Sequence, residues 1–374
     1  MQNHNGRNLR LLFVISGDIW AGAEVQVFNL ASELAKLQYA VSAVVFNDKR
    51  LSEALRGQGV DVFVLDENEN SGLKILFQLI ALFRAQSPDV IHTHGFKENI
   101  LASFANSFSV RTKCVRTLHG DFETKVPLKR LDKHVTRYMD KFAAKYLQDK
   151  VIAVSSMLHN KYEKIYGRGK TALIENTINI ADVESSSELQ IDEQYDDDII
   201  KLAMVGRLVP LKRHEYIIKS LPSLLEKFSN NLLFYVFGDG PERDRLEKLA
   251  ESLGVSGNVR FMGDLRVFYP HFKKMDLLVM PSDHEGLPMT LLEALVLKVP
   301  VIAHATGGIT HLMNEGAFAT LVEKHVGQSY RDAIIKVIEN VDKTNEMTRK
   351  GYEHVRNNYD IGVSVSKYEA IYHN

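Results

Sequence analysis

The stretch Pro281-Ser282-Asp283-His284-Glu285-Gly286-Leu287-Pro288-Met289-Thr290-Leu291-Leu292-Glu293-Ala294-Leu295 leaves an apolar, strand-like run and enters a helix through a Gly-Leu-Pro turn. Pro288 sits near the helix's first turn, where a missing N–H does no harm. A strand feeding a glycine turn and a helix N-terminus makes a ready anion site, because free backbone N–H groups point outward there. Two carboxylates flank it, Glu285 in the turn and Glu293 about two helical turns later. Glu293 interrupts a run at 289–297 that otherwise reads as a nearly buried helix, and a carboxylate there is costly without a partner. A ligand with hydroxyls to donate, such as a ribose, would supply one.

The same strand-to-helix alternation extends outward from this point. Apolar, β-branched runs mark strands at 11–15, 41–46, 60–65, 90–92, 113–118 and 150–154. A second series follows at 201–205, 232–237, 259–262, 277–280 and 299–303. Helix-period segments such as 25–37 and 75–85 lie between them. Such alternation implies an α/β chain with parallel, doubly wound sheets. Residues 181–198, rich in Ser, Glu and Asp, read as a linker, so domains are expected at 1–190 and 191–357. The last stretch, 358–374, carries Tyr359, Val363, Val365, Tyr368, Ile371 and Tyr372 at loose helical spacing.

Size and composition agree with two domains: 374 residues, 45% hydrophobic and 25% charged. A net charge of −1 excludes a globally basic nucleic-acid binder, and no nucleic-acid partner is expected. The single cysteine, Cys114, cannot form an internal disulfide and reads as a small core residue. The polar start, the short apolar run at 11–15 and the lack of any stretch near ~20 apolar residues make a cytoplasmic location the expectation.

Further motifs run in order along residues 10–310: Ala21-Gly22-Ala23-Glu24, Asp89-Val90-Ile91-His92-Thr93-His94-Gly95 and Thr117-Leu118-His119-Gly120. They continue with Val205-Gly206-Arg207 and Lys212, Phe237-Gly238-Asp239-Gly240-Pro241, and 259–263. Together with the two glutamates, this set resembles the E-x7-E retaining glycosyltransferases of the GT-B fold, glycosyltransferase family 4. The resemblance implies two Rossmann-like domains facing a cleft, with the final helix packing back on the first. It implies a hexosyltransferase that uses a nucleotide diphosphate sugar, UDP being commonest, and a glycan or lipid-linked saccharide acceptor, as in cell-surface polysaccharide biosynthesis. The nucleotide sugar is then a substrate, and no cofactor is expected.

The residue types suit that chemistry. Arg207 and Lys212 offer a planar fork and a compact charge, and by resemblance both reach the donor diphosphate. Gly22, in the loop after the first strand, would let backbone approach a phosphate. Gly240 reads as a second point of close backbone approach, and Asp239 as a candidate helix cap. By resemblance, the backbone at Leu265 holds the base edge, Glu293 the ribose, and Glu285, Gly286 and Leu287 the sugar-phosphate end. His119 closes a strand whose carboxyl end should face the ligand, and by resemblance it lies beside the donor sugar. Asp18, Trp20 and His94 are candidates for the acceptor side, with Trp20 open between that role and a cap on the core; His92 reads as structural.

No metal site is expected. Asp196-Asp197-Asp198 precedes a strand rather than ending one, and the His92/His94 pair has no third ligand at suitable spacing. Eight Lys/Arg against three Asp between Lys125 and Lys150 accompany an apolar period at Leu128, Leu131, Val135, Tyr138, Met139, Phe142 and Leu147. Two readings stay open: a docked helix with a solvated face, or a basic surface drawn to anionic membranes, which would make the chain peripheral on the cytoplasmic face. A nucleotide-sugar epimerase and a non-enzymic two-lobed sugar-binding protein are the alternative functions, while a dehydrogenase lacks its G-x-G-x-x-G here.

Overall fold

The computed structural model describes residues 9–120 and 131–373. They form two compact units: one takes the chain up to Thr177 together with Ile361 onward, and the other is Ile178–Asp360.

In the first unit seven strands, β1 (Arg10–Ile15), β2 (Ala40–Val45), β3 (Asp61–Val64), β4 (Val90–His94), β5 (Lys113–Leu118), β6 (Lys150–Ala153) and β7 (Thr171–Leu173), lie in the order 3-2-1-4-5-6-7. Its first six helices are α1 (Gly22–Lys36), α2 (Arg50–Gly57), α3 (Gly72–Gln86), α4 (Phe96–Ser107), α5 (Leu131–Tyr146) and α6 (Ser156–Tyr166). All pairings are parallel. Helices cover both faces, so β1 and β4 are almost wholly buried, which is why β1 reads as a continuous apolar run rather than an alternating one. Strand order reverses between β1 and β4, and ligands of doubly wound sheets bind outside the strand ends at such a point.

The second unit begins with α7 (Ile180–Ser187). Its strands β8 (Ile200–Val205), β9 (Leu232–Phe237), β10 (Val259–Gly263), β11 (Leu277–Met280), β12 (Val301–His304) and β13 (Thr320–Val322) take the order 10-9-8-11-12-13. Around them pack α8 (His214–Lys227), α9 (Arg243–Ser252), α10 (Tyr269–Lys273), α11 (Met289–Val296), α12 (Gly307–Leu312), α13 (Gly327–Glu339) and α14 (Val341–Asn358). Here the reversal lies between β8 and β11, the strands that carry Gly206-Arg207 and the Glu285 turn at their carboxyl ends.

α15 (Ile361–His373) closes the first unit against α1, with Tyr368 and Tyr372 in the core around β1 and β4. Lys113 Nζ donates to the terminal carbonyls of Ile371 and Tyr372 at 3.2 and 3.1 Å, a cation placed where the helix dipole is negative.

The structure moves the expected domain boundary. Residues 181–198 are not wholly a linker: Asn179 caps α7 by accepting from Asp182 N, and Ile180 and Val183 are buried. Because α7 packs on α10 and α11, the division falls at 177/178 rather than at 190, and the second unit runs on to Asp360. Cys114 is buried beside Ser103, and burial pushes its thiol up to about 12. Among the described residues no helix is long and apolar enough to cross a membrane.

Candidate active site

In the second unit the segments that follow β8 and β11 are joined by ion pairs, Lys212–Glu285 and Arg213–Asp283. Lys212 Nζ lies 2.5 Å from Glu285 Oε1, with both side chains largely buried. The lysine stem passes over Gly206, where an added Cβ would sit 3.4 Å from Lys212 Cε and where φ is +140°. Arg207, one residue on, is exposed and has no ion-pair partner among the described residues. Arg213, the residue after Lys212, is held by a partner of its own. It takes a left-handed φ of +56°, and its Nε donates to Asp283 Oδ1 at 2.7 Å. His325 Nε2 lies 2.7 Å from the same oxygen, and its ring stacks on His304 at 3.9 Å. This network ties the segment that presents Lys212 to the one that presents Glu285.

Glycines lock the surrounding turns together. A Cβ on Gly238 would strike the Gly206 carbonyl, and one on Gly240 the Leu208 carbonyl. Gly240's close approach is therefore to a neighbouring loop of the protein, not to open ligand space. Asp239 does not cap α9, whose first flanking residue is Glu242; its carboxylate accepts from Gly240 N at 2.7 Å. Gly307 and Gly308 seat in the same way against the Glu285 and Gly286 carbonyls. A register slip between Phe261 and Gly263 brings the Gly263 carbonyl to Gly238 N at 2.7 Å, and half-buried Leu265 follows two residues on.

Glu293 is buried on α11, and desolvation raises its pKa to about 7. Tyr269 Oη donates to Glu293 Oε1 at 3.1 Å, a partner from α10 that the sequence pattern does not reveal. Gly286 is half-buried and Leu287 buried in the turn before α11.

The first unit gathers its candidates at the ends of β1, β4 and β5. Gly22 opens α1, and Glu24, in that helix's first turn, accepts from Ala21 N at 3.3 Å. Burial raises Glu24 and its counterpart Glu98, at the start of α4, to about 7 each, and the exposed carboxylate of Asp18 adds to both shifts. Trp20 packs on the unit's core beside Phe28, with the Arg50 guanidinium 4.6 Å from its ring, so it caps the core. His94 Nδ1 lies 2.7 Å from His119 Nε2. Burial, assisted by the Arg116 charge, lowers His119 to about 4. Asp121, which follows the His119-Gly120 motif, lies outside the described residues.

The sequence profile described as glycosyl transferases group 1 matches residues 186–354, and that described as glycosyltransferase family 4 matches residues 20–182. The lipopolysaccharide core biosynthesis glycosyltransferase LpsE of Rhizobium meliloti is 28% identical over 181 residues, 48% of this chain and 51% of that one. The UDP-Gal:alpha-D-GlcNAc-diphosphoundecaprenol alpha-1,3-galactosyltransferase of Escherichia coli is 25% identical over 80% of this chain and 79% of its own. The alignments with the first curated relatives span 51–60% of those proteins' lengths. The crystal structure of Anabaena HepE in complex with UDP-glucose matches in fold with a TM-score of 0.81, at 18% identity over 97% of this chain and 99% of that one. Two reversing parallel sheets and two profiles arranged end to end along the sequence lead to one assignment: this chain belongs to the group 1, family 4 glycosyltransferases of the GT-B fold.

Proposed function

We propose that this protein is a retaining, metal-independent hexosyltransferase that moves a sugar from a UDP-sugar to a glycan or lipid-linked saccharide acceptor in cell-surface polysaccharide assembly. The observation that carries this reading is the Lys212–Glu285 pair at the β8/β11 reversal, with Glu293 buried one helix further on. In this reading Arg207 and Lys212 stabilise charge on the departing diphosphate, and Glu293 receives the ribose hydroxyls. The backbone at Leu265 meets the base, Glu285, Gly286 and Leu287 meet the sugar-phosphate end, and His119 meets a sugar hydroxyl. The bond from the anomeric carbon to the diphosphate oxygen breaks, and the acceptor oxygen bonds on the same face. The acceptor's proton leaves with the diphosphate.

Incubation with α-linked UDP-, GDP- and ADP-sugars tests this. Transfer is expected from a UDP-sugar, with an α-linked product by proton NMR coupling constants and with rates unchanged by excess EDTA. Epimerised sugar formed without acceptor, a β-linked product, or activity lost to EDTA and restored by magnesium or manganese would each overturn part of the reading.

A membrane-borne acceptor is supported by α5, which is inside out. Asp140, Ala143 and Ala144 face the core, while Val135 (57% exposed), Tyr138 (73%), Met139, Phe142 and Tyr146 (62%) face outward. Those five positions fall on one helical stripe, and Arg137, Lys141 and Lys145, four apart, run beside it. An apolar stripe with basic residues along its edge suits the boundary of an anionic bilayer. Leu128 and Lys125, part of the same sequence pattern, lie outside the described residues. Flotation with phosphatidylglycerol-rich vesicles should capture the protein at low salt and lose most of it toward ~1 M, where the screening length is only ~3 Å. Tyr138→Ser with Phe142→Ser should abolish flotation and leave transfer to a water-soluble acceptor intact. Capture that ignores lipid charge, or none at low salt, would remove the membrane from the proposal.

A further inference from the structure

One residue fastens the chain on both sides of Lys212. Asp283 lies two positions before Glu285, and its backbone N donates to the Leu211 carbonyl at 2.9 Å. Its Oδ1 accepts from Arg213 Nε at 2.7 Å. Between those two bonds Lys212 Nζ meets Glu285, so the three links form a ladder with the lysine on its middle rung. Behind the ladder, His325 donates through Nε2 to the same Asp283 oxygen, since a carboxylate only accepts. The other nitrogen of that ring lies 2.8 Å from the hydroxyl of Tyr330, whose side chain is fully buried. Burial opposes ionisation of Asp283, but the bonds from Arg213 and His325 outweigh it and hold the carboxyl below its usual range.

The lysine's own segment is poorly fixed without this fastening. Lys212 ends a single 3-10 turn, Pro210–Lys212, in which no residue is buried, so apolar packing does not hold it. Such turns also have weaker hydrogen-bond geometry than an α-helix. Arg213 then takes a φ of +56°, a region that a residue with a side chain seldom enters and keeps only where its surroundings hold it. The lysine stem itself loses rotamer freedom when its ammonium is pinned. Asp283 is well placed to supply the hold, because its own backbone is anchored from the far side. Thr306 Oγ1 donates to the Asp283 carbonyl at 3.3 Å, and His304 Nδ1 donates to the adjoining Ser282 carbonyl at 2.9 Å.

We infer that Asp283 is a positioning residue: it acts on transfer through Lys212, whose ammonium it aims by fastening Leu211 and Arg213 on either side. The inference rests on the proposed function in taking Lys212 to meet the donor diphosphate. Asp283 itself touches no substrate in this reading. Its carboxylate is spent on Arg213 and His325, and both of those bonds hold protein to protein. What the clamp contributes is placement, and a shift of about 1 Å in a group that meets developing charge can cost on the order of a hundredfold in rate.

A double-mutant cycle with Lys212→Ala tests this. Asp283→Ala should lower kcat roughly tenfold, part of the full cost of misplacement because the backbone rung to Leu211 remains. Asp283→Asn, whose amide oxygen can still accept from Arg213, should recover most of the rate. In the Lys212→Ala background, Asp283→Ala should cost less than about twofold, since a residue that acts through the lysine has nothing left to aim. A merely structural role would subtract the same tenfold in both backgrounds, and that result overturns the inference. Proton–nitrogen spectra of lysine-labelled full-length protein give a readout without activity, with the Lys212 ammonium assigned by its loss in Lys212→Ala. That signal should exchange slowly in the wild type and in Asp283→Asn, and as fast as an exposed lysine in Asp283→Ala; an unaltered signal in Asp283→Ala also overturns the inference. If Asp283→Ala does not fold, Arg213→Gly removes the same rung from the other side in a residue that accepts the positive φ, and it should match in both readouts. Should no sugar transfer be found while the ammonium responds as stated, the proposed function fails and the clamp stands.

Discussion

Lys212→Ala is expected to slow transfer by roughly 10²–10³-fold, the usual cost of removing one preorganised group from a site of developing negative charge. Two effects act in the same direction. The compact cation leaves the place where diphosphate charge grows, and Glu285, largely buried and 2.5 Å from the missing ammonium, keeps an uncompensated negative charge nearby. Lys212→Arg should recover only part of the rate, because a planar fork does not fit the narrow passage over Gly206. Single-turnover rates at saturating UDP-sugar separate this effect from binding. A loss smaller than about fivefold would mean that the lysine's role is structural and that the charge is met elsewhere, exposed Arg207 being the first place to look.

Asp140→Ala is expected to destabilise the first unit by about 3–5 kcal/mol, the typical cost of breaking a buried ion pair from one side. Asp140 Oδ1 lies 2.7 Å from Arg116 Nη1 and accepts from Asn99 Nδ2 at 2.8 Å, and the Arg116 and Asp140 side chains are 1% and 2% exposed. Alanine would leave a guanidinium in the core, with the Phe96 ring face 5.2 Å away as poor compensation. Because Asp140 is also the inward anchor of α5, the same change should loosen the helix whose outer face is apolar. In calorimetry the first unit's transition should fall by roughly 6–20 °C. The double replacement Arg116→Met with Asp140→Leu should restore most of it, since apolar pairs of similar volume often match buried ion pairs. An unchanged midpoint in Asp140→Ala would show that the arginine finds another partner.

Much of the fold was readable because parallel strands buried on both faces show as short apolar runs, as 232–237 does without error at either end. β7 and β13 were not, since three residues are too few to show a period. The segment that became α7 looked like a linker from its serines and acids, and only tertiary contact with α10 and α11 makes a helix of it. At the site, Glu293 stood out as a carboxylate in an apolar helix, whereas its partner Tyr269 comes from another element and leaves no local trace. The His94–His119 contact depends on the parallel register that sets His94 opposite Thr117, which is a property of strand order. The Gly307-Gly308 pair was visible as letters, but its purpose lies in the carbonyls of the adjoining turn.

The return of α15 to the first unit has a temporal side. That unit's core includes Tyr368 and Tyr372, and roughly 180 residues of the second unit separate them from the rest of it. At a synthesis rate of about 5–20 residues per second, the ribosome needs on the order of ten to forty seconds to span that gap. Throughout that interval His92 lacks its tyrosine hydroxyl, and the apolar flank of α1 waits uncovered. The nascent first half therefore waits with part of its core uncovered. The second unit, continuous in sequence, is free to fold first, and the half of the molecule made earlier is the one completed last.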